Sequence, residues 1–369
     1  MTTVDDFTFT GAGDEMLAAL NHTDTIVRIC PDRRHTTVAR RHQRHRRGPQ
    51  PPGRRSARPP LNTPEKGQRV DSFSLGDVEV TRVVEFETPT RPPAAMFTDI
   101  GPQVWDDNRS WLAPDHWDPD AGLLLTRMQT FVLRSAGATI LVDTGVGNDK
   151  SRPATPAFDR RSTGFLTRLA SVGVLLEDVD LVVNTHLHAD HVGYNTRLVE
   201  GSWVPTFPNA RYLVPRADHD FWHPDSTRVA RTAAANAHVF DDSVVPVVES
   251  GQAVLWEDTY DIDGALRLEY APGHTPGSSV LTLRSGGERA VFVGDVLHNP
   301  VQFIEPDANS CFCEDPATAR ASRRRVLQRA ADEGELVFPA HLRGGSGARL
   351  RRTGSSYTVH SWAPFGART

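Results

Sequence analysis

The chain has 369 residues, a formal net charge of −5 and an apolar content of 38%, enough for a sizeable core. So small a charge on this length gives no reason to expect nucleic acid or an anionic membrane as partner, and no stretch reaches the ~18–20 apolar residues that span a bilayer. The start also lacks the basic residues, apolar run and small-residue cleavage site of a secretory leader, so cytoplasmic residence is the expectation.

Residues 1–69 read as a disordered, basic, proline-rich extension. Arginines and prolines crowd residues 33–58, and no acid occurs between Asp32 and Glu65. Like charges repel there and nothing apolar anchors the backbone. Order is expected from Val70, and residues 77–84 alternate polar and apolar as a half-buried strand does. Residues 91–120 have little periodicity and read as a long loop carrying Met96, Phe97, Trp105, Trp111 and Trp117. Such a loop either covers a pocket or packs on the sheet.

Residues 126–133 and 138–142 read as paired strands, the second ending in Asp143-Thr144-Gly145. Residues 162–172 have helical spacing, with Gly173 at the end. A buried strand is expected over residues 179–183, and a short one over 211–214. Residues 218–238 are expected to form helices beside the site. Strands follow at 244–248, 266–270, 279–283, 290–293 and 336–338, with a helix over 317–331. The tail 345–369, rich in Gly, Ser and Arg, is expected to be poorly ordered, which leaves 70–344 as the folded domain.

The stretch hardest to explain as ordinary structure is Thr185-His186-Leu187-His188-Ala189-Asp190-His191, directly after an apolar strand. Alternate residues of an extended segment point the same way, so His186 and His188 can converge on one ion. Asp190 and His191 follow a change of direction and can reach a second. Three imidazoles and a carboxylate packed without a cation would be desolvated and largely unpaired. Neutral imidazoles with few carboxylates suit zinc, with manganese, iron and cobalt as alternatives. Three later sites also sit where strands end: Pro272-Gly273-His274-Thr275-Pro276-Gly277, Gly294-Asp295 and Pro339-Ala340-His341.

In this order, with Asp143, these elements resemble the metallo-β-lactamase superfamily. The resemblance implies an α/β fold, a four-layer αββα sandwich, with two metal ions at one edge. His186, His188 and His274 would hold the first ion, and Asp190, His191 and His341 the second. Asp295 would bridge them, and Asp143 would orient the ligand loop. A hydroxide between the ions would attack a carbonyl or phosphoryl group, and Asp190 would pass a proton to the leaving oxygen.

Asp295 stands where many true β-lactamases use Cys, and His188 where flavodiiron proteins carry Glu. The run from Gly294 to Phe303 is similar to the branch containing N-acyl-homoserine lactonases and methyl parathion hydrolase. Some of those lactonases place Tyr three residues after the bridging Asp; His298 stands there and can donate a similar hydrogen bond to a substrate carbonyl. Met96, Phe97, Trp105, Trp111, Phe221, Trp222 and Phe303 are the candidate pocket wall. The expectation is a dinuclear zinc hydrolase of a small lactone or ester, with phosphotriesters as side substrates and a homodimer left open. A glutathione-thioester hydrolase and a mononuclear iron persulfide dioxygenase are the alternatives. Cys30, Cys311 and Cys313 form no disulfide framework or zinc ribbon and read as ordinary thiols, with a pocket role left open for the last two.

Overall fold

The computed structural model describes residues 71–365 throughout, together with four short strands nearer the start. Those strands, Phe7–Thr10, Met16–Leu20, Thr25–Ile29 and Thr37–Arg40, pair antiparallel in chain order. The remainder of residues 1–70, and with it most of the expected disordered extension, lies outside the described residues.

Two sheets carry the residues from 71 onward. In the first, the order runs Ala253–Trp256, Arg211–Pro215, Leu181–Val183, Ala138–Val142, Leu123–Ser135, Val78–Pro89 and Ser72–Leu75. In the second it runs Thr259–Asp261, Leu266–Tyr270, Ser279–Ser285, Glu288–Gly294, Leu336–Pro339, Ala348–Thr353 and Ser356–Trp362. The period-two alternation of a strand sorts the side chains into layers. Phe131, Leu133, Ile140, Val142, Leu281, Leu283 and Phe292 fill the space between the sheets. Their neighbours Val132, Leu141 and Val182 face the other way, onto Phe165 and Leu169 of the helix Phe165–Ser171. On the opposite side Val280, Val291 and Val293 meet Val326, Leu327 and Ala330 of the helix Pro316–Glu333. The result is the αββα sandwich. Among the described residues no helix is long and apolar enough to cross a membrane.

Parallel pairing decides where the chemistry collects. Leu181–Val183 lies between Ala138–Val142 and Arg211–Pro215, parallel to both, and Glu288–Gly294 is parallel to Leu336–Pro339. Parallel neighbours end at the same edge, so the segments carrying Asp143, residues 186–191, Asp295 and His341 all emerge together.

Several sequence expectations need correction. The tail is not poorly ordered up to residue 365: Ala348–Thr353 and Ser356–Trp362 form an antiparallel hairpin that extends the second sheet. Leu350 and Tyr357 bury against the helical layer, and Ala363 and Phe365 enter the inter-sheet core. Leu350 stands alone among arginines and Tyr357 among Ser and Thr, which hid the pattern. The loop 91–120 contains short helices at Pro93–Met96, Pro102–Asp107 and Arg109–Leu112. The expected helices over 218–238 reduce to Arg216–Trp222, because Pro224 forces His223 out of the helical region, to ψ 138°. The expected strand at 244–248 is instead the helix Val245–Glu249 with Pro246 in its first turn; a short apolar run does not distinguish the two by itself.

Candidate metal centre

Every predicted ligand arrives at one sheet edge, and each imidazole is aimed by a partner behind it. The Asp143 carboxylate accepts from the Thr185 backbone N–H and hydroxyl, both at 2.8 Å, and its Oδ2 lies 2.8 Å from His191 Nδ1. A proton on Nδ1 leaves the His191 Nε2 lone pair facing inward. His186 Nδ1 lies 3.1 Å from Thr185 Oγ1, and His341 Nδ1 lies 3.2 Å from the Arg127 carbonyl, with the same consequence. His188 is turned the other way: Nε2 is 3.4 Å from Thr232 Oγ1, which donates to Glu314 at 2.6 Å, so Nδ1 points in. Gly294 lets Asp295 approach. Its φ is +50°, and a Cβ there would meet Thr185 Oγ1 at 2.6 Å.

The inward atoms form four overlapping groups, two of them through Asp295, with His186 and His191 and with His274 and His298; the other two carry the predicted ligands. His186, His188 and His274 make one; Asp190, His191 and His341 make the other, with all ligand atoms of each group within 4.8 Å of one another. Asp295 lies between them. Its Oδ1 is 3.0 Å from His341 Nε2 and 3.4 Å from His191 Nε2, while Oδ2 is 3.3 Å from His274 Nε2.

Protein hydrogen bonding alone does not satisfy this cluster. His186 Nε2 and Asp295 Oδ1 are buried without a hydrogen-bond partner. His274 Nε2 and His188 Nδ1 face each other at 2.9 Å, and His341 Nε2 and His191 Nε2 at 3.2 Å. Burial holds His186 and His274 well below the usual imidazole range, with neighbouring imidazoles adding to it, and brings His188 to about 4. Burial works against protonation of His191 and His341 too, but the carboxylates around them, Asp295 first, raise both. Buried imidazole nitrogens converging on carboxylate oxygens, with His186 Nε2 and Asp295 Oδ1 left unpartnered, are the donor set a pair of divalent cations requires.

The ligands open onto a cavity of about 490 Å³. Of the expected wall only Met96 lines it. Phe97, Trp105 and Trp111 pack among themselves beneath the loop, and Phe303 belongs to the core under the second sheet. Trp222 backs the His188 ring edge-on at 5.6 Å and Phe221 packs on Trp222 at 4.9 Å, both outside the cavity. The apolar wall comes instead from Met128, Phe158 and Phe312, among others. Large aromatics are drawn to the core, and nothing local in the sequence separates the two fates. His298 does line the cavity, with Nε2 at 3.2 Å from both Asp295 Oδ2 and Ser310 Oγ. Cys313 lies behind the site, Sγ 4.0 Å from His274 Nδ1, and Cys311 is partly exposed.

One organising residue had no signal in the sequence. Asp218, fully buried, accepts from the N–H of Leu187 at 2.9 Å, the Thr275 hydroxyl at 2.9 Å and the N–H of Gly277 at 2.6 Å. It joins the loop of His186 and His188 to that of His274.

A model of the metallo-beta-lactamase superfamily matches residues 129–341. Metallo-beta-lactamase domain-containing protein 1 of Mus musculus is 28% identical over 247 residues, 66% of this chain and 72% of that protein. N-acyl homoserine lactonase AttM of Azorhizobium caulinodans is 29% identical over 135 residues, 34% of this chain but only 43% of AttM. N-acyl homoserine lactonase of Bacillus cereus is 23% identical over 223 residues, 57% of this chain and 79% of its own length. Among solved structures, AbOPH, a hydrolase in the beta lactamase superfamily, superposes with a TM-score of 0.67 at 24% identity over 83% of this chain and 100% of its own. AidC, a dizinc quorum-quenching lactonase in complex with a product, does so with a TM-score of 0.62 at 21% identity over 78% and 95%. At these identities the two structures establish a shared fold. The family match spans more than half of the chain and takes in every ligand from His186 to His341; the protein belongs to the metallo-beta-lactamase superfamily and is a metal-dependent hydrolase.

Proposed function

We propose that the protein is a dinuclear zinc hydrolase that opens a lactone or a related ester, with phosphotriesters as side substrates. The observation that carries this reading is Asp295, one buried carboxylate reaching both ligand groups at the floor of a largely apolar cavity. Three histidines would hold one ion, Asp190, His191 and His341 the other, and Asp295 would serve both. Two such cations supply a Lewis acid for a substrate oxygen and make water acidic enough to act as a nucleophile near neutral pH.

The protein's own groups divide the remaining work. Apolar side chains of the wall exclude bulk water and favour an uncharged reacting group. Asp190, partly exposed and 3.6 Å from His341, would hand a proton to the leaving oxygen. His298 reaches the cavity beside Asp295 and can orient a carbonyl. The names of AttM, the Bacillus cereus lactonase and AidC support a lactone as the substrate class. The second ligand group is as complete as the first, which favours two ions over the mononuclear iron of a dioxygenase. Glutathione would require several cationic contacts, whereas among the described residues Arg91 is the one arginine or lysine on the wall.

A turnover screen of lactones, aryl esters and phosphotriesters on zinc-loaded protein tests the proposal. Lactone or ester hydrolysis that is lost in His188→Ala is expected. Unchanged hydrolysis by that variant would place the activity elsewhere.

A further inference from the structure

The cavity has one charged wall residue that the reaction does not use. Apart from Asp190 and Asp295, Arg91 is, among the described residues, the only formally charged side chain lining it, imidazoles aside. Its backbone is fixed between Thr90 and Pro92 at the end of the strand Val78–Pro89, its carbonyl accepting the Leu124 N–H at 2.9 Å. The guanidinium lies over the Phe312 ring at 4.7 Å and reaches Cys311 Sγ at 3.7 Å. Among the described residues no carboxylate pairs with it. Glu87, the nearest acid in sequence, is taken by Arg127 and Arg343. An arginine held on an aromatic face keeps its N–H edge free for a planar anion.

Phe312 also links this guanidinium to the reacting centre. Its ring centroid also lies 6.4 Å from that of His298, which is 3.2 Å from Asp295. A substrate whose scissile carbonyl lies beside His298 would therefore run across the Phe312 ring and end at Arg91. The hydroxyls of Thr90 and Thr126, 3.2 Å apart on the same wall, add polar contacts at that end.

We propose that Arg91 is a specificity-determining residue that selects esters or lactones carrying a carboxylate on a short chain remote from the scissile bond. This rests on the hydrolytic reading above and narrows its substrate class. The Phe312 face would hold the chain, and Arg91 would hold the carboxylate.

Two substrates of equal chain length decide the point on the full-length, zinc-loaded protein: the monoanionic p-nitrophenyl monoester of glutaric acid and neutral p-nitrophenyl valerate. In Arg91→Gln the anionic-to-neutral ratio of kcat/KM is expected to fall by about tenfold, through KM, the scale of one hydrogen bond to a charged group. Arg91→Lys should recover part of the ratio, and added salt should erode the preference of the unaltered protein. A ratio that stays the same in Arg91→Gln overturns the assignment. If the unaltered protein turns over neither these esters nor any lactone, aryl ester or phosphotriester of the screen, the lactone and ester reading fails separately. Calorimetric binding of N-phenyl glutaramic acid and its neutral methyl ester then still reads Arg91: tighter binding of the acid that is lost in Arg91→Gln supports the proposal, and equal binding overturns it.

Discussion

The carboxylate of Asp218 accepts a hydrogen bond at 2.9 Å from the backbone N–H of Leu187, the residue between His186 and His188. The same oxygen takes the Thr275 hydroxyl, and the other takes the Gly277 N–H, on the far side of His274. One buried side chain thus sets the spacing of three imidazoles. Asp218→Ala is expected to weaken zinc binding by roughly 10–100-fold, as loss of a group behind metal ligands does. Asp218→Asn, which keeps the shape but turns an acceptor into a donor, should fall between. Competition with a chromophoric chelator measures this, with far-UV circular dichroism to show that the fold persists. Unaltered affinity in Asp218→Ala would show that the loops hold their spacing without it.

Glu85 gives a pH signature in stability. It is buried beneath the loop that follows Asp143, accepting from the N–H groups of Val146 at 2.8 Å and Gly147 at 3.3 Å. Burial raises its carboxyl to about 7, against the pull of those bonds. The folded protein then holds a proton that the unfolded chain releases, so this contribution is complete below about 4.5 and is lost as pH rises through about 7. The loss amounts to at most roughly 3 kcal/mol, the value of the shift in free energy. Glu85→Gln should remove this slope and be the more stable protein above pH ~7. Urea unfolding of both proteins across pH 4–8 checks it, since ligand titrations common to the two cancel in the difference. Parallel slopes would contradict the account.

His298 is 3.2 Å from Asp295 Oδ2 and faces the cavity. His298→Phe is expected to lower kcat on the order of a hundredfold, as loss of one donor to a developing oxyanion does, while the metal content is kept. His298→Gln, which retains a donor, should keep more of the rate. A kcat unaffected by either change would assign His298 to packing.

The clustering of the candidate ligands was legible because each sits in a short local motif at a strand end. The spacing of His186 and His188 needed no knowledge of neighbours, whereas His274, Asp295 and His341 were singled out through the resemblance of the whole set. Layering was legible from strand alternation: Phe131 and Val132 part to opposite faces as period two requires. Features that depend on distant packing were not legible. Phe97 and Trp105 went to a core, while Phe158 and Phe312 reached the cavity from stretches with no periodicity. Asp218 became an organiser through a contact across 31 positions with Leu187 and another across 59 with Gly277. The hairpin Ala348–Trp362 was obscured because its anchors are few and spread among polar residues.

The central claim is that two ligand groups sharing Asp295 make a dinuclear zinc hydrolase. Metal analysis of protein purified without added metal, paired with a lactone-opening assay before and after chelation, tests it most directly. The account predicts two zinc ions per chain and lactone turnover that chelation abolishes and zinc restores. One iron per chain with no hydrolysis would contradict it.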